Sequence, residues 1–226
     1  MPRVSVIIPA FNEEATLGVL LPALIGQSPS EILIADGEST DSTARVCERF
    51  SGTRRIPCPR GRAIQMNRAA REAKGDILLF LHADVAVPEG MIAAIERAVA
   101  DPTVAGGHFD IVFAGGGVPA AIFTWINRVR YRFGIFYGDA GIFCRRKIFE
   151  QMGGYEEWPI LEDYDFARRL RRFGRVASLP DSLRVSDRRW RRGGLFATLW
   201  EWFWIQALYL AGVSPHRLAG MYRNVR

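Results

Sequence analysis

Short apolar runs separated by helical stretches set the pattern of this chain. Val4-Ser5-Val6-Ile7-Ile8-Pro9, Ile32-Leu33-Ile34-Ala35 and Asp76-Ile77-Leu78-Leu79-Phe80-Leu81 are nearly continuous in β-branched and aliphatic residues. Runs that do not alternate with polar residues read as strands buried on both faces of a parallel sheet. Strands are expected near residues 3–9, 31–36, 53–57, 76–82 and 105–112, with helices near 14–26, 40–50, 61–73 and 89–100. Asn12 is expected to cap the first helix, Ser39 the second, and Pro88 to open the fourth. This alternation predicts an α/β fold: a doubly wound, mainly parallel open sheet flanked by helices.

Beyond residue 113 the pattern changes. Gly115-Gly116-Gly117 marks a loop, and 118–133 is expected to form an amphipathic helix carrying Arg128, Arg130 and Arg132. A short strand is expected at 142–145, a helix from Leu161 to about 172, and two short strands near 175–179 and 183–187. Four arginines (188, 189, 191 and 192) precede a very apolar helix from Leu195 to Ala211, and a short basic tail starts at Pro215. Residues 1–192 are expected to form one domain and 193–226 a helical extension.

Composition narrows the class. With 49% hydrophobic residues in 226, the chain can bury a core, which argues against disorder. The net charge of +6 comes almost wholly from arginine, whose planar fork suits phosphate or an anionic membrane face. Cys47, Cys58 and Cys144 lack metal-type spacing, and the N-terminus enters a strand almost at once, so a catalytic surface in the reducing cytoplasm is expected.

Three of the early strands deliver polar, mostly acidic residues at their carboxyl ends: Glu13 and Glu14 after the first, Asp36 at the end of the second, His82 and Asp84 after the fourth. Ligands of such sheets bind beyond these ends. Like charges repel, so a fold gathers carboxylates chiefly to hold a cation or to move protons. The acidic edge opposes a nucleic-acid backbone, and no nucleic-acid partner is expected.

Four motifs occur in order: Val6-Ile7-Ile8-Pro9-Ala10-Phe11-Asn12-Glu13-Glu14, then Ala35-Asp36-Gly37-Glu38-Ser39-Thr40-Asp41-Ser42-Thr43, then Gly75-Asp76-Ile77-Leu78-Leu79-Phe80-Leu81-His82-Ala83-Asp84, and the pair Glu162-Asp163. Together, over roughly residues 3–192, they resemble a family 2 glycosyltransferase of the GT-A fold. Arg188-Arg189-Trp190 and Gly212-Val213-Ser214-Pro215 resemble the radical-SAM/selenodomain-associated subgroup.

The resemblance implies inverting transfer of a sugar from a nucleotide-diphosphate donor, UDP-sugars favoured, to an acceptor hydroxyl, with Mg²⁺ or Mn²⁺. It implies that Asp36 accepts a base N–H, that Pro9 and Phe11 wall the base pocket, and that Glu13 touches the nucleoside. A turn aspartate, strand-end packing and a first-turn acid are the competing structural readings. His82 stands where the family has a first metal-motif acid, as a ribose partner or metal ligand; Asp84 matches the metal-binding acid. Asp163 matches the catalytic base, with Glu162 beside it. Arg62 is read as a diphosphate contact or a solvated helix start, and Asp139 as acceptor-lining or an ordinary turn residue. Arg189 and Trp190 are read on the acceptor side, Arg189 as a diphosphate contact and Trp190 as stacking on the acceptor, with a plain basic membrane-facing loop as the competing reading. For the helix 195–211, bilayer docking, core packing and spanning remain open; docking implies peripheral contact with the membrane's inner face and a lipid-linked acceptor. The competing functions are a nucleotidyltransferase and a non-catalytic sugar-nucleotide or membrane-binding module.

Overall fold

The strand–helix alternation folds as expected in its first half. The computed structural model describes residues 1–185 and 195–221, with side chains to 185 and from 200. The elements are β1 (Val4–Ala10), α1 (Glu14–Ile25), β2 (Glu31–Asp36), α2 (Thr43–Arg49), β3 (Thr53–Pro57), α3 (Arg62–Glu72), β4 (Ile77–Phe80), α4 (Met91–Val99) and β5 (Val104–Phe113). Then come α5 (Gly117–Arg132), a helical turn (Gly138–Ala140), β6 (Ile142–Arg145), α6 (Arg146–Met152), α7 (Glu162–Leu170), β7 (Arg175–Val185), α8 (Leu195–Leu210) and α9 (Pro215–Met221).

The sheet runs β3-β2-β1-β4-β6-β5-β7. All neighbours are parallel except β6, which lies antiparallel between β4 and β5. The chain winds outward from β1 through β2 to β3, then returns to place β4 on the other side of β1. The carboxyl ends of β1 and β4 thus flank a topological switch point, where such sheets open a crevice. Apolar clusters cover both faces; one gathers Leu17, Leu21, Ile34 and Ile95, the other Met66, Phe80, Phe149 and Phe166.

Several local expectations are corrected. Asn12 and Ser39 do not cap helices. Asn12 adopts a left-handed conformation (φ 55°), and its Oδ1 accepts the Thr40 N–H at 2.8 Å while the Ser39 hydroxyl accepts the Asn12 N–H at 2.9 Å. The pair ties the β1–α1 loop to the β2–α2 loop. Asp41 holds the start of α2 instead, accepting the Thr43 N–H at 2.9 Å. Pro88 lies before α4, which begins after the left-handed Gly90. The two late strands are one, β7; its register with β5 slips between Phe109 and Asp110, where Leu179 and Ser182 are the successive partners. Pro180 and Asp181 fill this bulge, a place that tolerates a residue without an N–H. Helix α6 was not expected, and the tail at Pro215 is helical.

Helix α8 settles partly into the protein. Ile205 is buried with Ile160 and Leu218, and Trp202 packs edge-on to Phe123 of α5 at 5.6 Å between ring centres. Its other face exposes Trp200, Phe203 and Trp204. No helix among the described residues is long and apolar enough to cross a membrane.

Candidate active site

On the base side, Gln65 of α3 is buried and clamps the ends of two strands. Its amide nitrogen, Nε2, donates to the carbonyls of Ala10 and Ala35, both at 2.8 Å, and its Oε1 accepts the Gly61 N–H at 3.2 Å. A polar residue on the buried face of α3 was the available signal, and the sequence reading missed it. Asp36 is buried beside this clamp. One carboxylate oxygen accepts the Ser39 N–H at 3.1 Å and the other accepts from Arg55 at 2.8 Å. The turn role of Asp36 is therefore present in the structure. Phe11 lies under the Arg60 guanidinium, 3.9 Å from the ring centre. Pro9 is half-buried at the end of β1. Glu13 accepts the Thr16 hydroxyl at 2.6 Å within its own first turn.

Beyond β4 lies a cavity of about 300 Å³ lined by Arg62, His82, Asp84, Asp139 and Asp163, among others. Pro9, Phe11, Glu13 and Asp36 are not among its lining residues. Asp163 sits in the first turn of α7 and uses both oxygens: Oδ2 accepts the Gly138 N–H at 2.8 Å and Oδ1 accepts the Tyr164 N–H at 2.7 Å. Gly138 is squeezed between two functional groups. A Cβ there would lie 3.0 Å from His82 Nε2 and 3.3 Å from Asp163 Oδ2. A side chain on this turn would press on both groups, so the glycine suits the close approach that orients Asp163.

Glu162 is not among the cavity's lining residues and is 1% exposed. Its Oε1 pairs with Arg62 Nε at 2.7 Å, and its Oε2 is buried without a partner among the described residues. Arg62 thereby links the start of α3 to the start of α7. Asp165 takes a structural role, pairing with Arg169 at 2.6 Å.

Burial sets the protonation chemistry. It pushes the Glu162 carboxyl up, with Asp163 adding to the rise and Arg62 opposing it. Burial also raises Asp139, to about 6, again helped by Asp163 and opposed by Arg62 and Arg130. Desolvation and the Arg62 charge lower His82, outweighing the pull of Asp84 and Asp163, so the imidazole is neutral near pH 7.

Much of the remaining wall comes from residues the sequence reading did not assign to the site, among them Asn127, Arg130, Tyr137, Trp202 and Gln206. The Tyr137 hydroxyl donates to Gln206 Oε1 at 3.0 Å, fastening α8 over the cavity. Tyr137 also stacks on Tyr164, which meets Tyr209 edge-on. Arg189 and Trp190 lie outside the described residues, as does the proposed domain boundary at 192.

No group of three or more His, Cys, Asp and Glu residues suited to a metal occurs among the described residues. A protein cage is not required, however. Mg²⁺ and Mn²⁺ commonly bind through one or two carboxylates plus substrate phosphates, and the exposed Asp84 beside a neutral His82 fits that donor set.

The model of the family "Glycosyl transferase family 2" matches residues 5–153, more than half of the chain. Among curated proteins, the β-monoglucosyldiacylglycerol synthase of Synechocystis is 24% identical over 90% of this chain and 50% of its own length. The glucosyl-3-phosphoglycerate synthase of Mycolicibacterium smegmatis is 31% identical over 39% of this chain and 33% of its own. The chain thus spans half or less of these relatives. Among solved structures, the mannosyltransferase PcManGT of Pyrobaculum calidifontis, bound to GDP-Man and Mn²⁺, superimposes with a TM-score of 0.70 at 23% identity, covering 92% of this chain and 62% of that one. S. aureus TarS 1-349 with UDP-GlcNAc gives 0.68 at 20%, covering 82% and 59%. These structural likenesses support the GT-A fold, and the family match over residues 5–153 favours a glycosyltransferase over the nucleotidyltransferase and non-catalytic readings.

Proposed function

Since the chain belongs to glycosyl transferase family 2 and is a glycosyltransferase, we propose that it moves a sugar from a nucleotide-diphosphate donor, a UDP-sugar by preference, to an acceptor hydroxyl with inversion. The observation that carries this reading is the convergence of Asp84, His82, Asp139 and Asp163 on one cavity at the sheet's switch point. Asp163, oriented by the Gly138 N–H, takes the acceptor proton. The freed oxygen attacks the anomeric carbon from the face opposite the diphosphate, and the bond from that carbon to the phosphate oxygen breaks. One displacement inverts the centre and needs no nucleophile from the protein. General-base help of this kind is typically worth ~10²–10⁴-fold.

Asp84, with His82 beside it, would hold the divalent cation, which when bound supplies positive charge to the departing diphosphate. Asp36, Pro9, Phe11 and Glu13 serve the base and nucleoside, and Arg62 lies within the cavity on the donor side. The acceptor is lipid or lipid-linked, and the enzyme touches the inner face of a membrane peripherally. Two facts support this. The Synechocystis relative is named for a diacylglycerol product. The exposed Trp200, Phe203 and Trp204 of α8 lie behind the wall of the cavity that Trp202, Ile205 and Gln206 form.

Calorimetry with UDP and GDP, with and without Mn²⁺, tests the donor assignment. Binding should require both the metal and Asp84. Equal affinity in EDTA, or in Asp84→Ala, would overturn it.

A further inference from the structure

Arg130 faces the cavity from the last turn of α5, on the wall that also carries Tyr137 and Gln206. Other arginines nearby are spoken for. Arg62 pairs with Glu162 at 2.7 Å and Arg128 with Asp110 at 2.7 Å. Arg130 is half-buried, yet among the described residues no carboxylate pairs with it and no acceptor bonds it; its one neighbour of note is the Tyr137 ring, 5.8 Å from the guanidinium carbon. A guanidinium stays charged at any physiological pH, and a partly buried one with no bonded acceptor gains from an anion brought to its fork. One turn earlier, Asn127 lines the same cavity. Its Nδ2 donates to the Phe123 carbonyl at 3.0 Å, which leaves Oδ1 as the amide's acceptor.

We propose that Arg130 is the seat for an anionic group of the acceptor, so that the acceptor is a hydroxyl compound bearing a phosphate or carboxylate close to the reacting hydroxyl. This rests on the glycosyl-transfer reading and deepens it. The placement divides the cavity. Asp84, His82 and Arg62 come from the end of β4 and the start of α3, the side assigned to the donor; Arg130 comes from a separate element, α5, on the wall shared with Tyr137 and Gln206. Asp139 lies within the electrostatic reach of both Asp163 and Arg130. An acceptor can therefore set its hydroxyl at Asp163 and its anion at Arg130. The fork of Arg130 matches phosphate and carboxylate oxygens in a bidentate manner, and Asn127 Oδ1 can take a second hydroxyl. Without such an anion, three carboxylates would meet a polar acceptor and the lone guanidinium would gain no partner. The apolar stretch of wall formed by Phe113, Val185 and Trp202 has room for hydrocarbon, so a lipid headgroup and a small soluble anion share this chemistry.

The test is calorimetry on the full chain, first alone and then saturated with UDP and Mn²⁺. The soluble probes are glycerol 3-phosphate against glycerol. The lipid probes are phosphatidylglycerol vesicles against phosphatidylcholine vesicles containing diacylglycerol. At least one anionic probe should bind ten times or more tighter than its neutral match. Arg130→Ala should erase that preference, and Arg130→Lys should keep part of it, while UDP–Mn²⁺ affinity stays at the wild-type value in both. The pair that shows the preference identifies the source of the anion. Equal binding of anionic and neutral probes in the wild type would overturn the proposal. So would an Arg130→Ala variant that loses UDP affinity, which would move Arg130 to the donor side. Failure of the wild type to bind UDP with Mn²⁺ would sink the donor reading instead, and the measurement without nucleotide would still decide the role of Arg130.

Discussion

Removing Arg62 should expose how the Glu162-Asp163 pair is held. Glu162 is 1% exposed and its one ion-pair partner among the described residues is the Arg62 guanidinium at 2.7 Å; Oε2 has no partner among them. Deleting one member of a buried ion pair costs ~3–5 kcal/mol because the other charge is stranded. The Arg62 side chain is itself 44% exposed, so water can enter where it leaves, and the expected loss in Arg62→Ala falls to roughly 2 kcal/mol at neutral pH. The loss should depend on pH with a definite sign. Burial already raises the folded Glu162 above its ordinary value of 4.5, and without Arg62 it rises further. Between those two values the folded chain binds more protons than the unfolded one, so stability falls as pH rises through the window. Glu162→Gln removes the charge and keeps the shape, and the half-exposed Arg62 is rehydrated at a cost of less than ~1 kcal/mol. The double variant should recover most of the loss. Urea unfolding of the four proteins at about pH 5 and about pH 8 measures this. A Glu162→Gln penalty as large as that of Arg62→Ala, or an Arg62→Ala penalty that ignores pH, would refute the reasoning.

Two further outcomes follow from the geometry. Gly138→Ala places a methyl 3.0 Å from His82 Nε2 and 3.3 Å from Asp163 Oδ2; it should fold, judged by circular dichroism, and lower turnover by ~10-fold or more through misplacement of the base, so wild-type turnover would contradict the role given to that turn. Replacing the exposed Trp200, Phe203 and Trp204 together by Ser should abolish flotation with anionic vesicles while leaving UDP–Mn²⁺ binding intact; unchanged flotation would place the membrane contact elsewhere.

The first half of the fold was legible because β1, β2 and β4 are buried on both faces and the helices fill the crossovers, so pattern and burial coincide. The helix starts were not. Asn12, Ser39 and Asp41 are all good capping residues, and the juxtaposition of two loops turns all three to bridging, Asp41 also holding the start of α2. β7 read as two strands because Pro180 and Asp181 carry a turn signal that the sheet absorbs as a bulge. At the site, Asp84, Asp139, Asp163, His82 and Arg62 do converge on one cavity. What the sequence could not convey was the partnership of Arg62 with Glu162, 100 positions apart in the chain, and the far wall. Tyr137, Gln206 and Arg130 belong to no local motif. They matter because α5 and α8 fold back over the sheet's edge, and side chains that meet only in three dimensions leave no spacing to read.

The central claim is a division of labour: Asp84 serves the donor and its cation, while Asp163 serves the acceptor proton. The direct measurement compares Asp84→Asn and Asp163→Asn in two assays, calorimetric binding of UDP–Mn²⁺ and turnover with a verified acceptor under conditions where chemistry limits the rate. Asp163→Asn should bind the donor as the wild type does and lose at least ~10²-fold in turnover. Asp84→Asn should lose both binding and turnover. Transfer at the wild-type rate by folded Asp163→Asn would contradict the account.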